Sequence, residues 1–209
     1  MTDFFTYVGA AVCHADESRS LIVGGAYLPL CARCTGLYLS FFTTTAYLLI
    51  KKRFSGNRPT GLFFTLAASA GMLPLIADGV TSYAGLRESG SLLRLITGAL
   101  CGAVMPVFFV LAVNYKPERE NISAIIKNDR EYAILICVPI TAGLLLYFGL
   151  IHWWYLTSFA VCAGEAAALY FASSLIVGSF AKNFRIAARR FISFAIVAAA
   201  IILSNHVSI

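Results

Sequence analysis

Apolar residues occur along this chain in long runs that short polar segments separate. The runs cover about residues 31 to 50, 60 to 82, 91 to 114, 132 to 151, 153 to 180 and 191 to 205. Each run is close to the roughly 20 residues that an α-helix needs to cross about 30 Å of hydrocarbon. Segments of alternating polar and apolar residues, which a membrane-spanning strand requires, are not apparent. The pattern predicts an all-α, polytopic integral membrane helix bundle with about six transmembrane helices.

The composition supports a membrane location and excludes an ordinary soluble fold. Of the 209 residues, 59% are hydrophobic and 12% are charged, whereas a soluble domain carries roughly 25% charged residues. The mean hydropathy is +0.80. We therefore expect residues 1–209 to form a single transmembrane domain of a multi-pass protein of the cell membrane. Residues 1–30 are expected to form an extracytoplasmic or interfacial segment that begins with a short helix rather than a signal peptide.

The basic residues predict which way the bundle faces. The loops after the first, third and fifth predicted helices hold twelve of the sixteen lysines and arginines. Short basic loops remain in the cytoplasm, so we expect both termini to be extracytoplasmic. The net charge of +6 then follows from topology and gives no reason to expect a nucleic-acid partner.

A group of reactive and charged residues is predicted at the extracytoplasmic surface. Pro29 is expected in the turn that begins the first long helix, and Ser89 or Ser91 as the N-cap of the third. Two helix N-termini beside arginines would favour a bound anion. The members of the group are Cys13, His14, Arg19, Ser20, Cys31, Arg33, Cys34, Thr35, Asp78, Arg87, Ser89, Arg94 and Thr97.

These residues resemble the combined pattern of a known family. The pattern comprises Cys13-His14, Arg19-Ser20, Leu28-Pro29, Cys31-Ala32-Arg33-Cys34-Thr35-Gly36, Asp78-Gly79, Arg87, Ser89, Arg94 and Thr97-Gly98. Over about its first 110 residues the chain is similar to domain-of-unknown-function family 2085, whose members are small prokaryotic membrane proteins. The resemblance implies that the residues belong to one site, and it implies no settled activity.

Four members of the group carry ligands for a metal ion. Cys13, His14, Cys31 and Cys34 supply three thiols and an imidazole, enough for a closed tetrahedral zinc site, although their spacing differs from that of a standard zinc finger. With one of the four uncoordinated, an open position could hold a water activated towards a phosphoryl or acyl group. Zinc is therefore the predicted cofactor, in a structural or a catalytic site.

The same cysteines allow a redox or a structural role. Cys31 and Cys34 lie near a predicted helix N-terminus with Arg33 between them, which lowers a thiol pKa. Cys13 could be a resolving partner, so a quinone-linked thiol-disulfide oxidoreductase is an alternative. A structural disulfide is another, because extracytoplasmic compartments are often oxidising.

Two further interpretations concern the arginines near these cysteines. The spacing from Cys13 to Arg19 matches the loop of cysteine phosphatases, but the intervening residues contain no glycine for an anion cradle, and Asp16 and Glu17 would repel a phosphate. Such a loop normally belongs to a soluble α/β domain, which this chain lacks. The extracytoplasmic arginines could also simply anchor to lipid phosphates.

Outside the group, Glu165 is the deepest charged residue. An ionisable side chain inside a predicted transmembrane helix is a functional candidate by default, and its alternative is a packing role. A transporter or anion-binding module would need it as part of a polar path. His152, Trp153 and Trp154 are expected to be interfacial anchors.

These observations favour a metal-dependent hydrolase or transferase that acts on a phosphate-bearing lipid. Asp78, Arg87 and Arg94 would be catalytic, with Asp78 as base or acid, and zinc would be held by the four ligands above. Alternatively, Asp78 could balance the positive charges of the arginines. The partners would be membrane lipid and an anionic small-molecule or lipid substrate. The predicted substrate-binding residues are Arg19, Arg33, Ser20, Thr35, Ser89 and Thr97.

Overall fold

The computed structural model describes residues 2–13, 17–59, 61–86, 89–115, 118, 120–180 and 186–207. Within these ranges, six long helices follow a short helix, a 3-10 turn and two strands, and they overlap the six predicted apolar runs. The helices are α1 (Thr2–Gly9), α2 (Ala32–Ile50), α3 (Leu62–Tyr83), α4 (Ser91–Asn114), α5 (Asp129–Tyr147), α6 (Trp154–Phe180) and α7 (Ile186–Val207). The strands are β1 (Ser20–Val23) and β2 (Ala26–Cys31), and the 3-10 turn is Glu17–Arg19.

The two strands show that the all-α prediction was incomplete. They pair antiparallel, with Ser20 opposite Cys31. Gly24 and Gly25 connect them with φ angles of 58° and 83°, and a two-residue hairpin turn with positive φ at both positions favours glycine. Pro29 lies in β2, not in the turn before a helix as predicted. The hairpin is too short to cross a membrane.

Helix α2 occupies the centre of the bundle. It packs most extensively against α4, next against α6, and also against α5. Nine of its residues are buried, including the polar side chains of Thr35, Ser40 and Thr44. Because its neighbours are protein and not lipid, α2 can carry more hydroxyl groups than a lipid-facing helix.

Glycines allow the helices around α2 to approach it at backbone distance. A Cβ added to Gly98 would lie 2.1 Å from the carbonyl oxygen of Arg33, and one added to Gly102 would lie 1.9 Å from that of Leu37. On α6, Gly164 approaches α2 in the same way. Small residues that permit such contacts are characteristic of helix interfaces in membranes. They fix α4 and α6 against α2 with little freedom to slide.

Side-chain contacts define the two ends of the bundle. At the end that we call the cysteine end, α1 and the hairpin cover the N-termini of α2 and α6. The indole nitrogen of Trp154 donates to the carbonyl oxygen of Tyr27 at 2.9 Å, and Trp154 is buried, so its predicted interfacial anchoring is wrong. At the opposite end, which we call the basic end, the loop after α2 meets the loop after α4.

Four helices are long and apolar enough to cross a membrane within the part of the chain described. They contain the spans Leu62–Ser82, Ser91–Asn114, Asp129–Tyr147 and Trp154–Gly178. In α7 the shorter stretch Ile192–Leu203 is apolar, and α2 is the buried central helix. The chain is thus a mostly helical membrane protein; six spans and extracytoplasmic termini stay predictions.

Candidate thiolate site and arginine pocket

Three cysteines that are distant in sequence meet at the cysteine end. The sulfur atoms of Cys13, Cys31 and Cys34 all lie within 4.8 Å of one another. Cys13 is buried and the other two are half-buried. No disulfide joins any of them. The predicted fourth ligand, His14, lies outside the described residues.

Local structure explains why these thiols converge. The backbone N–H of Cys13 donates to the carbonyl oxygen of Gly9 at 3.1 Å, so the turn that ends α1 positions its side chain. Cys31 is the last residue of β2 and the N-cap of α2. Cys34 follows one helical turn later, and residues three apart share a helix face. The junction between β2 and α2 therefore positions two thiols, and the turn after α1 positions the third.

Hydrogen bonds within the cluster make its thiols unequal. The pKa of Cys31 lies well below its usual range, because the thiols of Cys13 and Cys34 donate to its sulfur and nearby backbone N–H groups act in the same direction. The pKa of Cys13 is raised, chiefly because its own thiol donates to Cys31. The backbone N–H of Cys31 also points at the Cys13 sulfur, 3.5 Å away. The cluster thus favours one thiolate, at Cys31.

This geometry suits a metal that prefers sulfur ligands. Zinc–sulfur bonds of about 2.3 Å in a tetrahedral site hold the sulfur atoms about 3.8 Å apart. Thiols that already lie within 4.8 Å of one another need to close by only about 1 Å to reach that spacing. Backbone N–H groups directed at sulfur are the outer partners that tune such sites. Three sulfur ligands leave one coordination position for a fourth group.

An ion pair lies beside the thiols. The guanidinium of Arg33 donates to the carboxylate of Asp78 through Nε at 2.9 Å and Nη2 at 2.5 Å. The other carboxylate oxygen accepts the hydroxyl of Ser89. Both oxygens of Asp78 therefore have partners, and the pair with Arg33 is nearly neutral. This arrangement favours a positioning role for Asp78 over the predicted role of acid or base.

Arg94 is a buried cation without a carboxylate partner among the described residues. Its side chain is 8% exposed. Its Nη2 donates to the hydroxyl of Ser82 at 3.4 Å, while its buried Nε has no hydrogen-bond partner in the described part of the chain. The contact of Gly98 with the Arg33 carbonyl holds this turn of α4 beside Arg33. A buried charge is costly unless it is paired, so an anion next to Arg94 is favoured. We call the surroundings of Arg33, Asp78 and Arg94 the arginine pocket.

The other predicted ligands of a substrate have varied surroundings. The hydroxyl of Thr35 donates to the carbonyl oxygen of Leu30 at 3.2 Å, and that of Thr97 to the carbonyl oxygen of Arg94 at 3.1 Å. Both hydroxyls therefore donate their protons to backbone carbonyl oxygens. Arg19 ends the exposed 3-10 turn and Ser20 begins β1. Arg87, which was predicted to be catalytic, lies outside the described residues.

The structure differs from the sequence prediction at the start of α4. The N-cap is Gly90, without a side-chain capping bond, so the predicted caps Ser89 and Ser91 were wrong. Ser89 does not cap the helix because its hydroxyl donates to Asp78 instead.

Ser82, the hydrogen-bond partner of Arg94, was not among the predicted site residues. It follows Asp78 by four residues on α3, and this spacing was the available signal that it faces the same pocket.

Glu165 lies apart from this pocket, in α6. Its side chain is fully buried. Neither carboxylate oxygen has a hydrogen-bond partner among the described residues. The sequence correctly placed an ionisable group inside the bundle, but a single such residue does not form a polar path.

Comparisons with known proteins identify relatives among predicted membrane proteins. Residues 13–108 match the family described as "Predicted membrane protein (DUF2085)". An uncharacterised protein of Methanocaldococcus jannaschii is 33% identical over 110 residues, which are 52% of this chain and 67% of the relative. An uncharacterised protein of Methanothermobacter thermautotrophicus is 35% identical over 97 residues, 46% of this chain and 82% of the relative.

No solved structure matches the chain. The region that matches the family contains the three clustered cysteines, the Arg33–Asp78 pair and Arg94. From the extent of these matches, the chain belongs to the predicted membrane protein family DUF2085.

Proposed function

We propose that this membrane protein binds zinc through Cys13, Cys31 and Cys34 and uses the site beside it to act on a phosphate-bearing lipid. The convergence of three thiols within 4.8 Å carries the proposal. Thiolate ligands favour zinc over the oxygen-seeking ions magnesium and calcium. His14, adjacent to Cys13 in sequence, is the proposed fourth ligand of a closed site, and a site without it would keep an open position.

The arginines support an anionic ligand next to the metal site. Arg33 is neutralised by Asp78, which leaves Arg94 as the buried positive charge without a described carboxylate. One such charge suits a phosphate ester, and a guanidinium offers several donors to its oxygens. A location at the end of a membrane helix bundle is where a lipid phosphate would lie.

The proposed reaction class is hydrolysis or transfer at that phosphate. In the site that keeps an open position, a bound zinc ion would supply Lewis acidity or an activated water. Arg94 would bind and orient the phosphate oxygens. Arg33, held by Asp78, would present its remaining donors to the same group. Arg87, Arg19 and Ser20 would complete the anion site.

Metal content and thiol state together test the metal part of this proposal. Protein purified without chelators should contain about one zinc per chain and no disulfide among the three cysteines. Cys34→Ser should lose most of the zinc, whereas Cys137→Ser, which alters an exposed cysteine outside the cluster, should retain it. Zinc-free protein with a reducible disulfide would contradict the proposal.

Turnover of lipid phosphate tests the enzymatic part. Arg94→Gln should lower hydrolysis or transfer of a phosphate-bearing lipid by about 100-fold, the range seen when one charge-stabilising donor is removed from an active site. Arg94→Lys, which keeps the charge and loses the planar fork, should recover part of the rate. Equal turnover in the wild type and Arg94→Gln would exclude this role for Arg94.

The thiolate at Cys31 favours a second candidate function, a quinone-linked thiol oxidoreductase. Two thiols, Cys31 and Cys34, would form a disulfide while a quinone takes up their two electrons and two protons to become a quinol. A thiolate near a helix N-terminus is the feature that dithiol oxidoreductases share. This candidate predicts cycling between dithiol and disulfide in protein that contains no zinc.

A further inference from the structure

A positively charged cavity lies at the basic end, on the opposite side of the bundle from the cysteines. It is open, has a volume of about 600 Å³, and lies between the loop after α2 and the loop after α4. Small-molecule sites commonly span about 300–1,000 Å³. Within the described residues its lining includes no aspartate or glutamate. Its charged lining residues are Lys51, Lys52, Arg53, Arg58 and Lys127.

One of these cations holds the walls of the cavity together. Arg53 makes a two-pronged ion pair with Glu131 of α5, at 2.7 and 2.9 Å. It also donates to the carbonyl oxygen of Ile125 at 2.9 Å, and Ile125 is fully buried. Its positive charge is therefore neutralised by Glu131, and its role is to connect the two loops to α5.

Further hydrogen bonds between the loops fix the cavity in shape. The side-chain amide of Asn114 donates to the carbonyl oxygens of Phe54 and Gly56, at 2.5 and 3.1 Å. The backbone N–H of Arg58 donates to the carbonyl oxygen of Ser123 at 2.9 Å. Because both loops are held by such bonds, the cavity is preformed and a ligand would not have to order it.

The remaining four cations leave the cavity strongly positive. Lys51, Lys52, Arg58 and Lys127 are exposed, and none forms an ion pair with a carboxylate in the part of the chain that the structure describes. Asp129 lines a neighbouring cavity that shares Arg58 and Lys127. Topology alone explains basic residues in short loops, but it does not require them to surround one fixed concave surface.

We propose that this cavity binds a phosphate group presented at the membrane surface, by an anionic phospholipid headgroup or as free phosphate. Lysine and arginine side chains are the usual ligands of phosphate oxygens. Apolar residues adjoin the charges: Ile122 lines the cavity and is 72% exposed, and Ile50, immediately before Lys51, is 78% exposed. Apolar side chains next to phosphate ligands suit an amphiphile, whose acyl chains would lie along the bundle.

Lipid retention by the full-length protein tests this inference. The experiment compares three proteins: the wild type, Arg58→Gln and Lys127→Gln. Each is reconstituted in nanodiscs of mixed phosphatidylglycerol and phosphatidylcholine. Native mass spectrometry then counts the lipids that stay bound to the protein after extraction from the nanodisc. Each neutralised cation should weaken phosphatidylglycerol binding about fivefold, from about 1 kcal/mol per surface cation. Arg130→Gln is the matched control, because Arg130 is exposed at the same end and does not line the cavity.

The outcomes separate a site from diffuse attraction and a lipid from free phosphate. Unchanged retention in both cavity variants, or an equal loss in Arg130→Gln, would overturn the inference. Competition by millimolar inorganic phosphate that is lost in Arg58→Gln would support the cavity and identify free phosphate as a ligand. Thermal unfolding of each variant shows whether a loss of binding is a loss of fold. Since this cavity lies far from the cysteines, its failure would leave the zinc proposal untouched.

Discussion

At the scale of single residues, the chemistry of the cysteine end depends on the unequal thiols of its cluster. Cys31 accepts hydrogen bonds from its two neighbours, and this lowers its pKa. A folded-state pKa below the unfolded value keeps the thiolate present as the pH falls. Metal binding needs deprotonated sulfur. We therefore expect Cys31 to be the first of the three thiols to bind a metal ion.

Alkylation of the metal-free, reduced protein tests this property. Cys31 should react with iodoacetamide at about pH 6, where an ordinary cysteine with a pKa of about 8.5 is almost entirely protonated. In denatured protein the same residue should slow steeply below about pH 8. Peptide mass spectrometry reports both rates, and identical pH profiles in folded and denatured protein would show that the cluster does not stabilise a thiolate.

The sequence predicted which residues lie near one another better than it predicted the bonds between them. The order of the apolar runs predicted that Cys31, Cys34 and Arg94 lie at one end of the bundle, and the structure places them there. The pairing of Arg33 with Asp78, and the use of Ser89 to bind that carboxylate, depend on how α3 packs against α2 and α4. Hydropathy does not specify the rotation of one helix relative to another. The sequence could therefore suggest that Asp78 balances an arginine, but it could not specify which arginine or the bond from Ser89.

At the scale of elements, the contact between α2 and α4 positions the arginine pocket. Gly98 and Gly102 bring the two backbones together, and Arg94 lies one turn before Gly98. An added side chain would push α4 away from α2, and Arg94 away from Arg33. The stability of this interface and the geometry of the pocket are therefore linked.

Substitution of Gly102 tests this packing. Gly102→Ala would place a Cβ 1.9 Å from the carbonyl oxygen of Leu37, and overpacking of this kind costs about 1–3 kcal/mol. We expect a lower temperature of unfolding in detergent. Gly71→Ala is the matched control, because an added Cβ there meets nothing within 4 Å. Equal stability of the two variants would show that the α2–α4 contact is looser than described.

The hydropathy pattern did not predict the hairpin. Its strands, β1 and β2, are four and six residues long, and their apolar residues looked like the approach to a helix. The Gly24-Gly25 pair between two apolar segments was the signal for a two-residue turn. Hydropathy predicted the long helices well because each one consists largely of a continuous apolar run. A short hairpin has no such run, and only its turn residues indicate it in the sequence.

At the scale of the whole molecule, the two ends of one helix bundle differ in chemistry. The cysteine end combines three thiols with a buried arginine, and the basic end carries a cavity lined by lysine and arginine. Both features suit the phosphate groups that lie at the two surfaces of a membrane. The central helix α2 connects them, because Cys31 caps its first turn and Lys51 follows its last.

Zinc K-edge X-ray absorption of the purified, full-length protein tests most directly whether the three thiols form a metal site. The spectrum should show three sulfur scatterers at about 2.3 Å with one nitrogen or oxygen scatterer at about 2.0 Å. Cys13→Ser should replace one sulfur scatterer by a lighter atom. A spectrum with only nitrogen and oxygen around zinc, or a protein that holds no zinc when prepared with stoichiometric metal, would contradict the proposed site.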